Sequence, residues 1–363
     1  MRLIIRLIIF ILIITLLIHC EKPESQVIIS DDNFLNALIK LGIDLNKDGK
    51  ISTDEAEIVT SLKLSNENIS DLTGIESFIN LDTLDCWLNH LSELNVSMNT
   101  RLVYLRCDEN HLTTLDLTNN VDLKTLGCNS NSLVNLDVAK NISLVTLNCS
   151  ENPLTNLDVS NNVSLVNLWL CNNHITNLNI TNNQALSSFG CDYNNLTNLD
   201  VSKNTLLTEL TCDENQLTSL DISKNSNLQL LSCSFNKLSS LNASNNLKLK
   251  YLSCYNNQLI TLDVTKNGEL LMLECQNNYL TSLNVSNNLS LDRLYCGGNQ
   301  LTNLDLTNNT SLGTLYPYFK EYFLRIDNMP TLNKVCVWTL PFSTLYVDTT
   351  DSPNIYFTTN CNN

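Results

Sequence analysis

The sequence predicts a β-rich solenoid built from short parallel strands, with a small helical cap at its N-terminal end and a β cap at its C-terminal end. Three observations predict it. Cysteines stand 21 residues apart at 86, 107, 128 and 149 and again at 191, 212, 233, 254, 275 and 296, with Leu170 completing the series. An asparagine lies three positions after each of these eleven sites, from Asn89 to Asn299, and a second lies thirteen positions after, from Asn99 to Asn309. Each unit also holds two stretches that alternate apolar and polar residues, such as Leu105-Arg106-Cys107 and Leu115-Asp116-Leu117, which is the period of a strand with one buried face.

At 363 residues the chain exceeds one ordinary globular core, and repetition accounts for the length. A hydrophobic content of 43% with only 6% aromatics suits a long, thin core. The formal charge of -16 excludes a nucleic-acid partner, because phosphate binding needs clustered Lys and Arg that the repeats do not supply.

Residues 1–19 read as a signal peptide. Arg2 and Arg6 precede an apolar run from Leu7 to Ile18 that is too short to span a bilayer, which needs roughly 20 apolar residues. Leu17-Ile18-His19-Cys20 resembles a bacterial lipobox, although His19 stands where a small residue is usual. The resemblance implies lipidation of Cys20, membrane attachment through that lipid, and a polar tether over 20–30 in the bacterial cell envelope, outer membrane or cell surface.

Residues 31–61 form the N-terminal cap. Between helical patterns at Phe34–Leu41 and from Thr53 onward lies a loop that matches the EF-hand spacing. Calcium needs six to eight oxygens, and Asp44, Asn46, Asp48 and Glu55 can supply them, with Lys50 through its carbonyl and Ser52 directly or through water. Gly49 occupies the sharp-turn position. A single loop of this kind reads as a structural Ca2+ clamp, not as a paired sensor.

Residues 62–316 carry the repeat L-x-x-L-x-C-x-x-N-x-L-T-x-L-D-V-S-x-N-x-x. It resembles the bacterial 21-residue IRREKO type of leucine-rich repeat, and the leading unit from Leu62 to Ile75 is more like the 22-residue repeat of internalins. The resemblance implies a curved, right-handed coil of parallel strands. Physically, no coil can bury its apolar face alone, so each stacks on the next and equivalent side chains superpose. The asparagine amides are expected to hydrogen-bond backbone groups left unpaired where the chain turns.

The cysteines of the ladder point the same way into a dry core, so they read as free, buried thiols and not as disulfides or a metal cluster. Two places differ. Cys171 follows Leu170, and strand alternation turns it outward as a candidate reactive thiol. Cys336 and Cys361 fall outside the repeats in the C-terminal cap, 317–363, near the candidate strands Val335-Cys336-Val337 and Ile355-Tyr356-Phe357. A disulfide between them suits an exported domain.

Function in a solenoid belongs to exposed strand positions that vary between coils. Tyr251, Tyr255, Glu274, Arg293 and Tyr295 span three adjacent coils on the concave strand face and mix aromatic with charged groups, the composition of interface hot spots. Asp116, Asp137, Asp158, Asp200, Asp221, Asp263 and Asp305 line the other side as solvated carboxylates accepting local hydrogen bonds, with cation holding the alternative. His90, His111 and His174 share one polar surface position. No catalytic motif stands out from the repeat. The chain therefore reads as a non-enzymatic protein- or glycan-binding lipoprotein, adhesion being one use; the alternative is an envelope-organising lipoprotein without a soluble ligand.

Overall fold

The structure, a computed structural model, describes residues 25–314 and 322–361; the segment 1–19 expected to be a signal peptide, and Cys20, lie outside the described residues. Each coil contributes one three-residue strand. These run from β1 (Ser61–Lys63), β2 (Thr83–Asp85) and β3 (Tyr104–Arg106) at one end to β10 (Tyr251–Ser253), β11 (Met272–Glu274) and β12 (Arg293–Tyr295). With β14 (Leu324–Arg325) and β16 (Val347–Asp348) they form one parallel sheet of fourteen strands. The strands are short because 21 residues must make a strand, two turns and a return. Register is set by the repeat itself, so that Leu84, Leu105 and Leu126 lie side by side.

The core is a set of parallel columns. The strand leucines and the ladder cysteines, Cys86 through Cys296, are fully buried, with Leu117, Val138, Val159 and their equivalents closing the opposite wall. All ladder cysteines are free thiols. Burial pushes them far above the usual thiol range, to about 12 at Cys149, Cys254 and Cys296, so they are inert apolar filler.

The second alternating stretch departs from expectation. Leu115 and Leu117 do point inward, yet the backbone there is not a strand in most coils. Asp116 takes the amide of Thr118 at 2.9 Å and bends the chain into the turn closed by Asn120 N donating to Leu117 O at 3.0 Å. The local side-chain bond thus competes with ladder pairing. Pairing on this side begins only with bridges linking Asn242, Asp263 and Asn284, followed by a three-stranded sheet of β13 (Asn303–Asp305), β15 (Lys334–Cys336) and β17 (Tyr356–Thr358).

Both ends of the core are plugged. At the N-terminal end α1 (Asp32–Lys40) buries Phe34, Ala37 and Leu38, and α2 (Thr53–Glu57) starts with a capping box between Ser52 and Glu55. Asp31 caps α1 through the amides of Asn33 and Phe34 and reaches the amide of Ser70 at 2.8 Å, fastening the cap to the first coil. At the other end Trp338, Phe342 and Phe357 pack with ring centroids 5.2 Å apart, and a disulfide joins Cys336 to Cys361.

Two residues after each ladder site the backbone enters the left-handed region. From Leu88 to Asn277, ten successive coils place a non-glycine residue there, Glu109 among them at φ 50°. For an L-residue this costs about 1 to 2 kcal/mol. Glu109 is exposed, so Glu109→Gly is expected to raise the urea midpoint by an amount equivalent to about 1 kcal/mol. A lowered midpoint would show that the side chain contributes more than the strain removes.

Candidate functional site

On the strand face the residues before and after each ladder site project in columns, and the columns are not uniform. Near the N-terminal end three side chains close on one another. The Arg106 guanidinium lies 4.6 Å over the Trp87 ring and its Nε contacts Asp108 at 2.8 Å, while Asp108 also accepts the amide of Asn129. Gly127 makes the room, since a Cβ there would sit 2.8 Å from the Asp108 carboxylate.

Farther along, the face opens into a cavity of about 300 Å3 lined by Asp213, Ser232, Tyr251, Tyr255, Met272 and Glu274, with Leu230 and Ser253 completing the wall. The register explains the set: Leu230, Tyr251 and Met272 are neighbours in one column, and Ser232, Ser253 and Glu274 in the next. Ser232 Oγ donates to Asp213 at 2.6 Å, and the amide of Ser234 donates to its other oxygen. Ser253 Oγ donates to Glu274. An edge-to-face contact with Phe235 at 5.1 Å fixes the Tyr255 ring. Desolvation drives the Asp213 carboxyl up to about 6; the bonds from Ser232 and Ser234 oppose the rise, and the charges of Asp192 and Glu274 add to it. Desolvation first, then the charges of Asp213 and Glu274, raise the Tyr255 phenol.

Three of the five residues expected on this face meet here, and two do not. Tyr295 is 8% exposed, its hydroxyl donates to the Tyr322 carbonyl at 2.7 Å, and its ring lies 5.6 Å beneath the Arg325 guanidinium. Arg293 pairs with Asp292 at 3.8 Å and lies outside the cavity lining. Both belong to the seam with the C-terminal segment, because β14 stacks on β12 and covers the position that would otherwise face solvent. The sequence reading also left Asp213, Ser232, Ser253 and Met272 out of the patch; reading the columns through their 21-residue register would have collected them.

Cys171 turns away from the core as a free, half-buried thiol; it donates to Asp192 at 3.4 Å and is pushed up to about 12 by burial and then by the Asp192 charge, which disfavours the thiolate. On the opposite side, exposed Asp116, Asp158 and Asp200 each accept the amide two residues on, and those bonds hold the carboxyls below their usual range. The rings of His90 and His111 stack 6.0 Å apart on the surface, without His174.

In the N-terminal loop, Asp44 accepts the amides of Asp48 and Gly49, Asn46 that of Asp48, and Asp48 that of Lys50. Glu55 closes the loop from its far end, accepting from Leu45 N at 2.7 Å and from Ser52 N and Oγ at 2.8 and 2.9 Å. Burial works against the Glu55 charge, but the amides of Ser52 and Leu45 outweigh it and hold the carboxyl below the usual range. Gly49 turns the chain at φ 81°. Asp44 and Glu55 are buried, and neither meets a Lys or Arg within ion-pair distance among the described residues. Buried carboxylates without a counter-charge suit a bound cation.

A parallel solenoid of stacked leucine columns, asparagine turns and a cysteine spine defines a leucine-rich repeat protein. Comparison with known proteins narrows the class. The functional domain of InlJ from Listeria monocytogenes, which itself includes a cysteine ladder, superposes with a TM-score of 0.74 at 33% identity, over 85% of this chain and 74% of that one. The chain belongs to the internalin-like leucine-rich repeat proteins. The internalin InlF of Listeria monocytogenes shares the fold, with a TM-score of 0.74 at 20% identity over 95% of this chain and all of that one. A leucine-rich repeat protein of Leptospira interrogans matches at 25% identity and a TM-score of 0.64, over 69% of each chain. In sequence, Internalin J of Listeria monocytogenes is 36% identical over 70 residues, a match spanning 19% of this chain and 8% of that protein's length. No protein-family model matches the chain.

Proposed function

We propose that this chain is a non-enzymatic binding protein of the bacterial envelope, held by a lipid on Cys20, that takes a protein ligand on the strand face around the Tyr251–Tyr255–Glu274 cavity. The observation that carries the reading is the break in the columns. At Arg106 and Asp108 the strand face is closed by an ion pair, whereas here two tyrosines and two carboxylates surround an open volume. Aromatic groups beside charged ones at a recess are the composition of an interface hot spot. The serines of the cavity donate their protons to carboxylates, and no imidazole is among the lining residues, which favours recognition over nucleophilic chemistry.

Binding partners captured by the full chain should be lost with Tyr251→Ala combined with Tyr255→Ala, while thermal unfolding is unchanged. Capture that ignores both substitutions would remove the strand face from the reading. Incorporation of labelled palmitate into the wild type but not into Cys20→Ala tests the anchor.

The same reading gives the Asp44–Glu55 loop a structural Ca2+. The ion would neutralise two buried carboxylates and tie α1 to α2 at the capped N-terminal end of the core. Calorimetry should show calcium binding that Asp44→Ala and Glu55→Ala abolish, and chelation should lower the melting temperature of the wild type alone. Unchanged heats in the variants would refute the site.

A further inference from the structure

The cavity has a defined charge balance. Asp213 and Glu274 stand on opposite rims, three coils apart, roughly 14 Å along the sheet at the usual strand spacing of about 4.8 Å. Their side chains lean toward each other across two serines. Ser232 donates to Asp213 and Ser253 donates to Glu274, and Ser234 Oγ bridges to Ser253 Oγ at 3.3 Å. The carboxylates thus face a common volume whose walls are Tyr251, Tyr255 and Met272.

What is missing is a cation. Neither Asp213 nor Glu274 forms an ion pair among the described residues, and Arg293, the basic residue that flanks Met272 in the next strand, turns to Asp292 at 3.8 Å. Asp192, one coil before Asp213, adds further negative charge and is itself held by Thr211 Oγ1 and by the amide of Asp213. The N-terminal end of the same face shows the contrast, since Asp108 there carries its own arginine partner. A half-buried carboxylate pair without a counter-charge, beside two aromatic rings, has the chemistry of a receptor for a cation.

We infer that this cavity accepts an arginine side chain of a partner protein, the guanidinium lying against Tyr251 and Tyr255 and hydrogen-bonding toward Asp213 and Glu274. Arginine fits better than a point charge. Its planar fork offers several donors that can serve two separated carboxylates, and it stacks on aromatic faces. The inference rests on the reading of the strand face as a protein-binding surface and names the chemistry that the surface selects.

The test uses small probes, so it does not depend on knowing the partner. The purified full chain is titrated with Nα-acetyl-arginine amide, with the isosteric but uncharged Nα-acetyl-citrulline amide, and with methyl α-glucoside, and binding is followed by NMR. The expected result is saturable binding of the arginine amide at roughly millimolar concentration, which is ordinary for so small a fragment. Citrulline amide and glucoside should bind at least tenfold more weakly, and Asp213→Asn with Glu274→Gln should abolish the difference. Equal binding of the citrulline and arginine probes, preference for the glucoside, or no saturable binding at all would each overturn the inference. The wild-type comparison of two isosteres stands even if the variants fold poorly. Should a captured partner be lost with the tyrosine substitutions yet bind undiminished to Asp213→Asn with Glu274→Gln, the binding face would survive and the arginine assignment would not.

Discussion

Replacing Asn194 with alanine is expected to cost about 3 kcal/mol of stability, and replacing Asn204 about half of that, although both are buried asparagines repeated in every coil. The difference lies in what each amide holds. Asn194 Nδ2 donates to Leu170 O at 2.9 Å and to Cys191 O and Asp192 O at 3.2 Å, while its Oδ1 accepts the amide of Ile175 at 3.0 Å. Its loss leaves the buried N–H of Ile175 unmatched and strips one donor from each of three carbonyls, which keep only Asn173 Nδ2, Asn215 Nδ2 and the Asn172 amide respectively. Asn204 Nδ2 donates to Ile180 O and Asn183 O at 3.1 and 2.8 Å, but its Oδ1 is buried without a partner among the described residues. Alanine there removes two bonds and also removes an orphan oxygen that was itself a cost. The same imbalance recurs along the whole second ladder, from Asn99 to Asn309. Urea denaturation gives the two free energies, and amide exchange at Ile175 reports the local release that a one-dimensional stack permits. Equal costs at the two positions would mean that burial of the side chain, not its hydrogen bonds, sets its value.

Much of this architecture could be read from the chain because repetition makes spacing into evidence. Leu105, Cys107 and Asn110 return at the same offsets coil after coil, and only superposed coils make that arrangement necessary. Alternation alone was less informative. Leu115-Asp116-Leu117 has the period of a strand, but the carboxylate of Asp116 binds the backbone two residues ahead and converts the stretch into a turn. Arg293 and Tyr295 were misplaced for a different reason. Their columns predict exposure, and what covers Tyr295 is Tyr322 and Arg325, which come from beyond the last regular repeat and carry no signature of stacking on it. The cavity itself was half legible. Tyr251, Tyr255 and Glu274 stood out by residue type, whereas Asp213 looks no different in sequence from Asp108 or Asp192, and only its place on the open volume sets it apart.

Burial beside that volume gives Asp213 a second measurable consequence. Its carboxyl titrates near 6 in the fold against an ordinary 3.8, chiefly because burial disfavours the charge, and it stays raised despite two hydrogen bonds that favour it. Below about pH 4 the group is protonated in both states and has no effect on stability. Between about 4 and 6 the unfolded chain releases the proton while the fold retains it, so stability falls as pH rises; above 6 both states are ionised and the full penalty remains. Two pH units would correspond to about 3 kcal/mol, which partial exposure of the side chain reduces to roughly 1 to 2 kcal/mol. Asp213→Asn keeps an oxygen for the Ser234 amide and removes the charge. The variant should therefore be more stable than the wild type by that amount at pH 7.5, with the advantage fading toward pH 4. A variant less stable at pH 7.5, or an advantage that does not change with pH, would show that the carboxylate is not strained in the fold. The expected pairing of a higher melting temperature with lost arginine binding is the signature of a residue kept at the expense of stability, and a purely structural aspartate would not show it.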